Sequence, residues 1–181
     1  MTHQILGISG SLRRQSCNSG LLRCAQSRLP EGVLMDIADL SDIPFYCADM
    51  QQKPASVERV LAQMAPAEAF VFACPEYNYS IAPALKNILD WASREAGNAL
   101  LSDKPVALMG AGGGMGTARA QYHLRQVCVF LNLHPLNKPE IFSNAFAGAF
   151  DADGNVIDAK LVQLIGDQMQ ALLAWTKRLR S

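Results

Sequence analysis

The chain has no Cys-x-x-Cys pair, and its five cysteines (Cys17, Cys24, Cys47, Cys74 and Cys128) are odd in number and scattered over 181 residues. That pattern argues against a disulfide framework and for reduced thiols in a cytoplasmic protein. Histidine is scarce: His3, His123 and His134 are far apart and lack paired-ligand spacing, so no metal site is expected. Charge of one sign is never concentrated. Sixteen basic residues balance sixteen acidic ones, which gives no footing for nucleic acid or an anionic membrane surface. No apolar run approaches bilayer-spanning length, and Met1-Thr2-His3-Gln4 leads directly into a strand-like run rather than a charged and hydrophobic leader.

Several nucleotide and hydrolase signatures are also missing. Counting from Gly110 and Gly112, the third glycine of G-x-G-x-x-G falls on Met115, and from Gly112 and Gly114 it falls on Thr117. A phosphate loop would need Gly-Lys-Ser/Thr, which does not occur. Gly7-Ile8-Ser9-Gly10-Ser11 approaches the nucleophile elbow G-x-S-x-G, but Ser11 replaces the final glycine and no His and acid pair follows.

What is present is a regular alternation of two periodicities. Ile5–Ile8 and Ala69–Ala73 are short and fully apolar, as strands buried on both faces of a parallel sheet require. Strands are also expected over 33–37, 106–109 and 131–135. Helical spacing of apolar residues marks 16–28, 55–65, 81–94, 117–130 and 158–179. Half the residues are apolar, enough for one good core, and one domain over 1–181 is expected. Five strands alternating with helices imply right-handed crossovers and a parallel sheet covered on both sides, either Rossmann-like or flavodoxin-like in order. In both, ligands bind beyond the carboxyl ends of the strands.

The three loops at that rim carry the chemistry. Gly7 to Asn18 runs from a strand into a helix start through small, hydroxylated and cationic residues, the makings of a phosphate cradle. Pro75-Glu76-Tyr77-Asn78-Tyr79-Ser80 can present a stiffened backbone edge and two flat aromatic faces. The run Gly110–Gly116 is open enough for backbone to approach a planar ligand. Flavin mononucleotide (FMN) suits all three loops together; a nucleotide- or sugar-phosphate-binding enzyme without flavin stays open as an alternative.

The motifs Gly10-Ser11-Leu12-Arg13 with Ser16 and Asn18, Pro75–Ser80 followed by Leu85-Lys86-Asn87 and Asp90-Trp91, then Gln121–Gln126 and Asn137-Lys138-Pro139-Glu140, occur in order. The chain thereby resembles the NAD(P)H-dependent FMN reductase family, in its chromate and quinone reductase branch. The resemblance implies a flavodoxin-like three-layer α/β sandwich with a five-stranded parallel sheet of order 2-1-3-4-5, non-covalent FMN, and a homodimer or homotetramer. It implies that Ser11, Arg13, Ser16, Cys17 and Asn18 hold the phosphate, with Ser9 and Gly10 shaping the turn. Pro75, Glu76, Tyr77, Asn78 and Tyr79 would line the ring and ribityl chain, and Gly112, Gly113 and Gly114 the ring's other side.

In such an enzyme NADPH or NADH passes hydride to flavin N5 and is replaced in the same pocket by a small-molecule acceptor: a quinone, free flavin, an azo compound or a metal oxyanion such as chromate. No side chain need be catalytic. Arg14 and Ser80 are candidate nicotinamide or substrate contacts. Glu76 admits two readings, a general base or a solvated or capping group. Trp91, Tyr122, His123 and Arg125 suit a subunit interface, with Arg119, Tyr122 and Glu140 as polar contacts across it. The competing class is a flavodoxin-type electron carrier without NAD(P)H activity, against which the balanced charge counts.

Overall fold

The computed structural model describes residues 3–180; Met1 and Thr2, whose lead into the first strand was expected above, and Ser181 lie outside the described residues. Strand β1 (His3–Ser9) is followed by helix α1 (Cys17–Ser27), β2 (Val33–Ala38), α2 (Ala55–Met64) and β3 (Ala69–Ala73). A short hairpin, β4 (Glu76–Tyr77) and β5 (Ser80–Ile81), precedes α3 (Pro83–Ala92). Then come β6 (Pro105–Gly112), α4 (Ala118–Phe130), β7 (His134–Pro135), β8 (Ile141–Asn144) and α5 (Ala159–Leu179).

The main sheet is parallel throughout, in the order β2-β1-β3-β6-β7, with β8 also paired to β6. This is the flavodoxin-like 2-1-3-4-5 arrangement. The fifth position is shared: β7 pairs with Pro105 and Val106 at the start of β6, and β8 pairs with Met109 to Gly112 at its end. The expected single strand over 131–135 is therefore half of the edge, and 141–144 supplies the other half. Between them the side chain of Gln168 on α5 donates from Nε2 to the Leu108 carbonyl (3.0 Å) and the Pro139 carbonyl (2.8 Å), so a side-chain amide bridges the break.

Alternating strand residues feed two cores. Leu6, Ile8, Phe70, Phe72 and Leu108 pack against α2, α3 and α4. Ile5, Val71, Ala107 and Met109 pack on the other side against α1 and α5. That is why β1 and β3 read as unbroken apolar runs. Helix starts are specified locally. Ser16 caps α1 by accepting from the Ser19 N–H, Pro83 stands in the first turn of α3, and Asp158 caps α5 by accepting from Leu161 N–H at 2.7 Å.

Candidate active site at the carboxyl rim of the sheet

Beyond the carboxyl ends of β1, β3 and β6 lies a cleft of about 280 Å³. The loop after β1 forms its floor. The Ser9 hydroxyl is spent inside this loop: its oxygen accepts from Ser11 N–H (3.2 Å) and from the Ser19 hydroxyl (3.2 Å). Gly10 is packed so closely that a Cβ there would stand 2.8 Å from the Ala82 Cβ. Ser11 and Ser16 are buried at the cleft, and each accepts a backbone N–H, from Arg13 (3.4 Å) and Ser19 (3.3 Å) respectively. Each hydroxyl keeps its proton to donate. The Arg13 guanidinium is exposed, bonded to the Gln15 carbonyl at 3.0 Å, and borders the cleft.

At the start of α1 the N–H groups of Cys17 and Asn18 have no acceptor among the described residues, while Ser19 is served by its cap. Two aimed donors, the helix dipole and Arg13 thus meet in one place, the arrangement that binds a phosphate. The Asn18 carboxamide itself is committed elsewhere. Its Nδ2 donates to the Ala111 carbonyl (2.9 Å) and its Oδ1 accepts from the Ala111 N–H (3.0 Å), which ties α1 to the end of β6.

The loop after β3 is the β4–β5 hairpin, a two-residue turn in which Asn78 (φ 49°) and Tyr79 (φ 68°) are both left-handed. A tyrosine in that conformation needs outside support. Arg119, at the start of α4, provides it by stacking its guanidinium 3.6 Å over the Tyr79 ring. The same guanidinium donates from Nε to Glu76 Oε1 at 2.6 Å, and Glu76 Oε2 accepts from the backbone N–H groups of Arg119 (3.1 Å) and Ala120 (3.2 Å). Glu76 is therefore the N-terminal cap of α4, whose own cap residue Thr117 makes no side-chain capping bond. Its partners raise the pKa of Arg119, the guanidinium's hydrogen bond to Glu76 contributing most. Of the two readings of Glu76, capping matches the geometry.

The third loop is tighter than its glycines suggested. Strand β6 runs on to Gly112, and Gly116 N–H closes a turn onto the Gly113 carbonyl (2.8 Å). A Cβ on Gly112 would fall 2.3 Å from the Gly116 carbonyl oxygen, whereas Gly113 and Gly114 face open space.

Residues 3–148 match the sequence profile of the family described as NADPH-dependent FMN reductase. An NAD(P)H-dependent FMN reductase of Pseudomonas aeruginosa is 51% identical over 98% of this chain and 97% of its own. A probable NADPH:quinone oxidoreductase of Oryza sativa is 46% identical over 98% and 93%. The solved structure of a flavoenzyme NAD(P)H:(acceptor) oxidoreductase from Paracoccus denitrificans superposes with a TM-score of 0.87 at 28% identity, over 98% of both chains.

The chain belongs to the NADPH-dependent FMN reductase family. Of the residues that the sequence placed around the cofactor of an FMN reductase, Ser11, Arg13, Ser16, Cys17 and Asn18 border the cleft, as do Pro75, Glu76, Tyr77, Gly112 and Gly113. Ser9 lies beneath, and Gly10 borders the neighbouring cleft. Asn78 and Tyr79 form the hairpin tip, and Gly114 sits in the open turn beyond. Arg14 borders a neighbouring cleft with Asp151 that shares Arg13 and Cys17 with the first, and the Ser80 hydroxyl pairs with His123 Nδ1 at 3.0 Å.

Sequence reading missed Ala111, Ala145 and Phe146, which also line the cleft. Phe146 is 85% exposed at its rim, its N–H held by Asn144 Oδ1 at 2.9 Å. Its segment carries no motif, and only the unforeseen β8 brings it there. Beside the cleft, Cys74 is no nucleophile: burial pushes its thiol pKa up to about 11. The donor set fits FMN, with free helix N–H groups and a cation for its phosphate and an uncrowded glycine turn for its ring.

Proposed function

We propose that this protein is an NAD(P)H-dependent, FMN-carrying reductase whose acceptors are quinones. The observation that carries the reading is the meeting of three rim loops on one cleft, with the free N–H groups of Cys17 and Asn18 beside Arg13, in a chain of the FMN reductase family. Those N–H groups, the Ser11 and Ser16 hydroxyls and Arg13 would hold the FMN phosphate. The backbone of Pro75 to Tyr77, with Gly112 and Gly113, would border the ring, and Phe146 would close one side. Bound FMN supplies hydride transfer between nicotinamide and acceptor.

The side chains' work is then to position, and the exposed approach lets donor and acceptor enter in turn, a ping-pong order. Free flavin, azo compounds and metal oxyanions such as chromate are further acceptors on this reading. A relative named for quinone reduction, at 46% identity over nearly the whole chain, favours quinones among these. We also assign the protein to the cytoplasm: none of its cysteines is paired, and among the described residues no helix is long and apolar enough to cross a membrane. The exposed Tyr122, Val129 and Phe130 on α4 favour a homodimer or homotetramer.

Anaerobic mixing tests the reading. The purified, FMN-loaded protein should be yellow and should bleach on addition of NADPH or NADH. A yellow protein that neither nicotinamide bleaches would be an electron carrier instead, and one that stays colourless with FMN would leave a nucleotide-binding enzyme without flavin.

A further inference from the structure

A second, larger cleft of about 520 Å³ adjoins the first and shares Arg13 and Tyr77 with it. Its walls are mostly apolar: Leu12 on the phosphate loop, Leu40, Ile43 and Phe45 on the segment after β2, and Pro83 and Ala84 at the start of α3. The volume lies within the range of small-molecule sites. The segment from 39 to 54 has no helix or strand, and connections of that length in compact domains commonly serve function.

This segment is nevertheless held firmly at one point. Pro44 offers its carbonyl to two buried donors on α3, Asn87 Nδ2 (2.9 Å) and Trp91 Nε1 (2.9 Å). Asn87 Oδ1 accepts in return from Tyr46 N–H at 2.8 Å. The Tyr46 ring meets the Trp91 ring edge to face, with centroids 5.1 Å apart at 87°, and Arg94 stands 5.7 Å above the Tyr46 ring. Between these two anchored residues, Phe45 is left 75% exposed at the edge of the cleft. A buried amide, an indole N–H and a ring pair are spent on fixing the loop on both sides of one solvent-facing phenyl ring.

We infer that this cleft is the acceptor pocket, that Phe45 contacts the acceptor, and that Asn87 and Trp91 are positioning residues that hold Phe45 in place through Pro44 and Tyr46. The inference rests on the reductase reading and names its acceptor site. The lining fits a flat, uncharged, mostly apolar molecule, a quinone, which can reach the flavin ring past Tyr77, where the two clefts join. Reduction of the quinone consumes a hydride supplied by NAD(P)H and one proton from water and releases the hydroquinone.

Menadione is the probe. Its dissociation constant is measured calorimetrically on the oxidised, FMN-loaded protein without nicotinamide, and its KM and kcat in turnover. Trp91→Phe keeps an aromatic ring but removes the donor to Pro44, and Phe45→Ala removes the contact itself. Each should raise the menadione dissociation constant and KM roughly five- to tenfold, with kcat and the FMN dissociation constant little changed, and Phe45→Tyr should restore binding. Unchanged menadione binding in Phe45→Ala and Trp91→Phe would overturn the inference and leave the reductase reading intact. So would a Phe45→Ala protein that keeps its menadione affinity but loses mass in sedimentation, since the loop would then pack on a second copy. A wild type that binds menadione in a Phe45-dependent way, yet is not reduced by NAD(P)H, would sustain the pocket and sink the reductase.

Discussion

Asn18 and Ala111 exchange two hydrogen bonds, 2.9 and 3.0 Å, that close the first turn of α1 onto the last residues of β6. Both partners are buried, so Asn18→Ala strands an N–H and a C=O of Ala111. The expected loss is on the order of 2 kcal/mol, a fall in Tm of about 4–8 °C for a chain of this size. FMN affinity should fall with it, because the bond sets where α1 points. Thermal unfolding and flavin titration of the same variant check both.

Glu76 offers a different separation. Its carboxylate side chain is only 6% exposed and caps α4, while its partner Arg119 is 40% exposed. Solvent screening therefore discounts the ion pair, and the cap dominates. Glu76→Ala should cost about 1–2 kcal/mol in urea unfolding, the size of a lost cap. Turnover per FMN-loaded site should stay within a few-fold of wild type, because the reading gives the carboxylate no proton to move. A collapse of kcat with stability preserved would restore the general-base role.

Two neighbouring glycines should answer oppositely to the same change. A methyl at Gly112 meets the Gly116 carbonyl oxygen at 2.3 Å, so Gly112→Ala must shift the turn and should cost about 3 kcal/mol. Gly113→Ala meets nothing within 4 Å and should unfold like wild type. Because Gly113 lines the cleft, its methyl should instead weaken FMN binding by about 1–2 kcal/mol, roughly tenfold in dissociation constant. Unfolding curves and FMN titrations of the pair distinguish the two effects.

The thiols sort by burial. Cys47 is exposed, whereas desolvation pushes Cys74 up to about 11 and Cys128 up to about 12. At pH 8 the two buried thiols are protonated and shielded, so a thiolate-selective reagent should label Cys47 in the native protein and reach Cys74 and Cys128 only on unfolding. Mass-mapping of alkylated peptides before and after urea gives the answer.

What was legible in the sequence was whatever one segment decides by itself. β1 and β3 announced themselves through unbroken apolar runs, α1 and α5 through their spacing, and the covered parallel sheet through the alternation, while the order of its strands came with the family resemblance. The chain's resemblance, carried by three separated motifs, led to the family. Illegible were the features that depend on a distant partner. The turn at Asn78 and Tyr79 carries no glycine, and its backbone is stabilised by Arg119 from another helix. Asn18 reads as a phosphate ligand until Ala111, far along the chain, takes both ends of its amide. β8 is four residues long and shares an edge with β7, so nothing local separates it from a loop, and Phe146 was lost with it.

The family profile ends at residue 148, ten residues before the cap of α5. Yet Gln168 on that helix stands in for the missing rung of the sheet between β7 and β8, and Ile165, Met169 and Leu172 fill one of its two cores. The C-terminal helix is thus a splint across a gap in the edge, and the stretch the profile recognises would be left with an open seam if it were produced on its own.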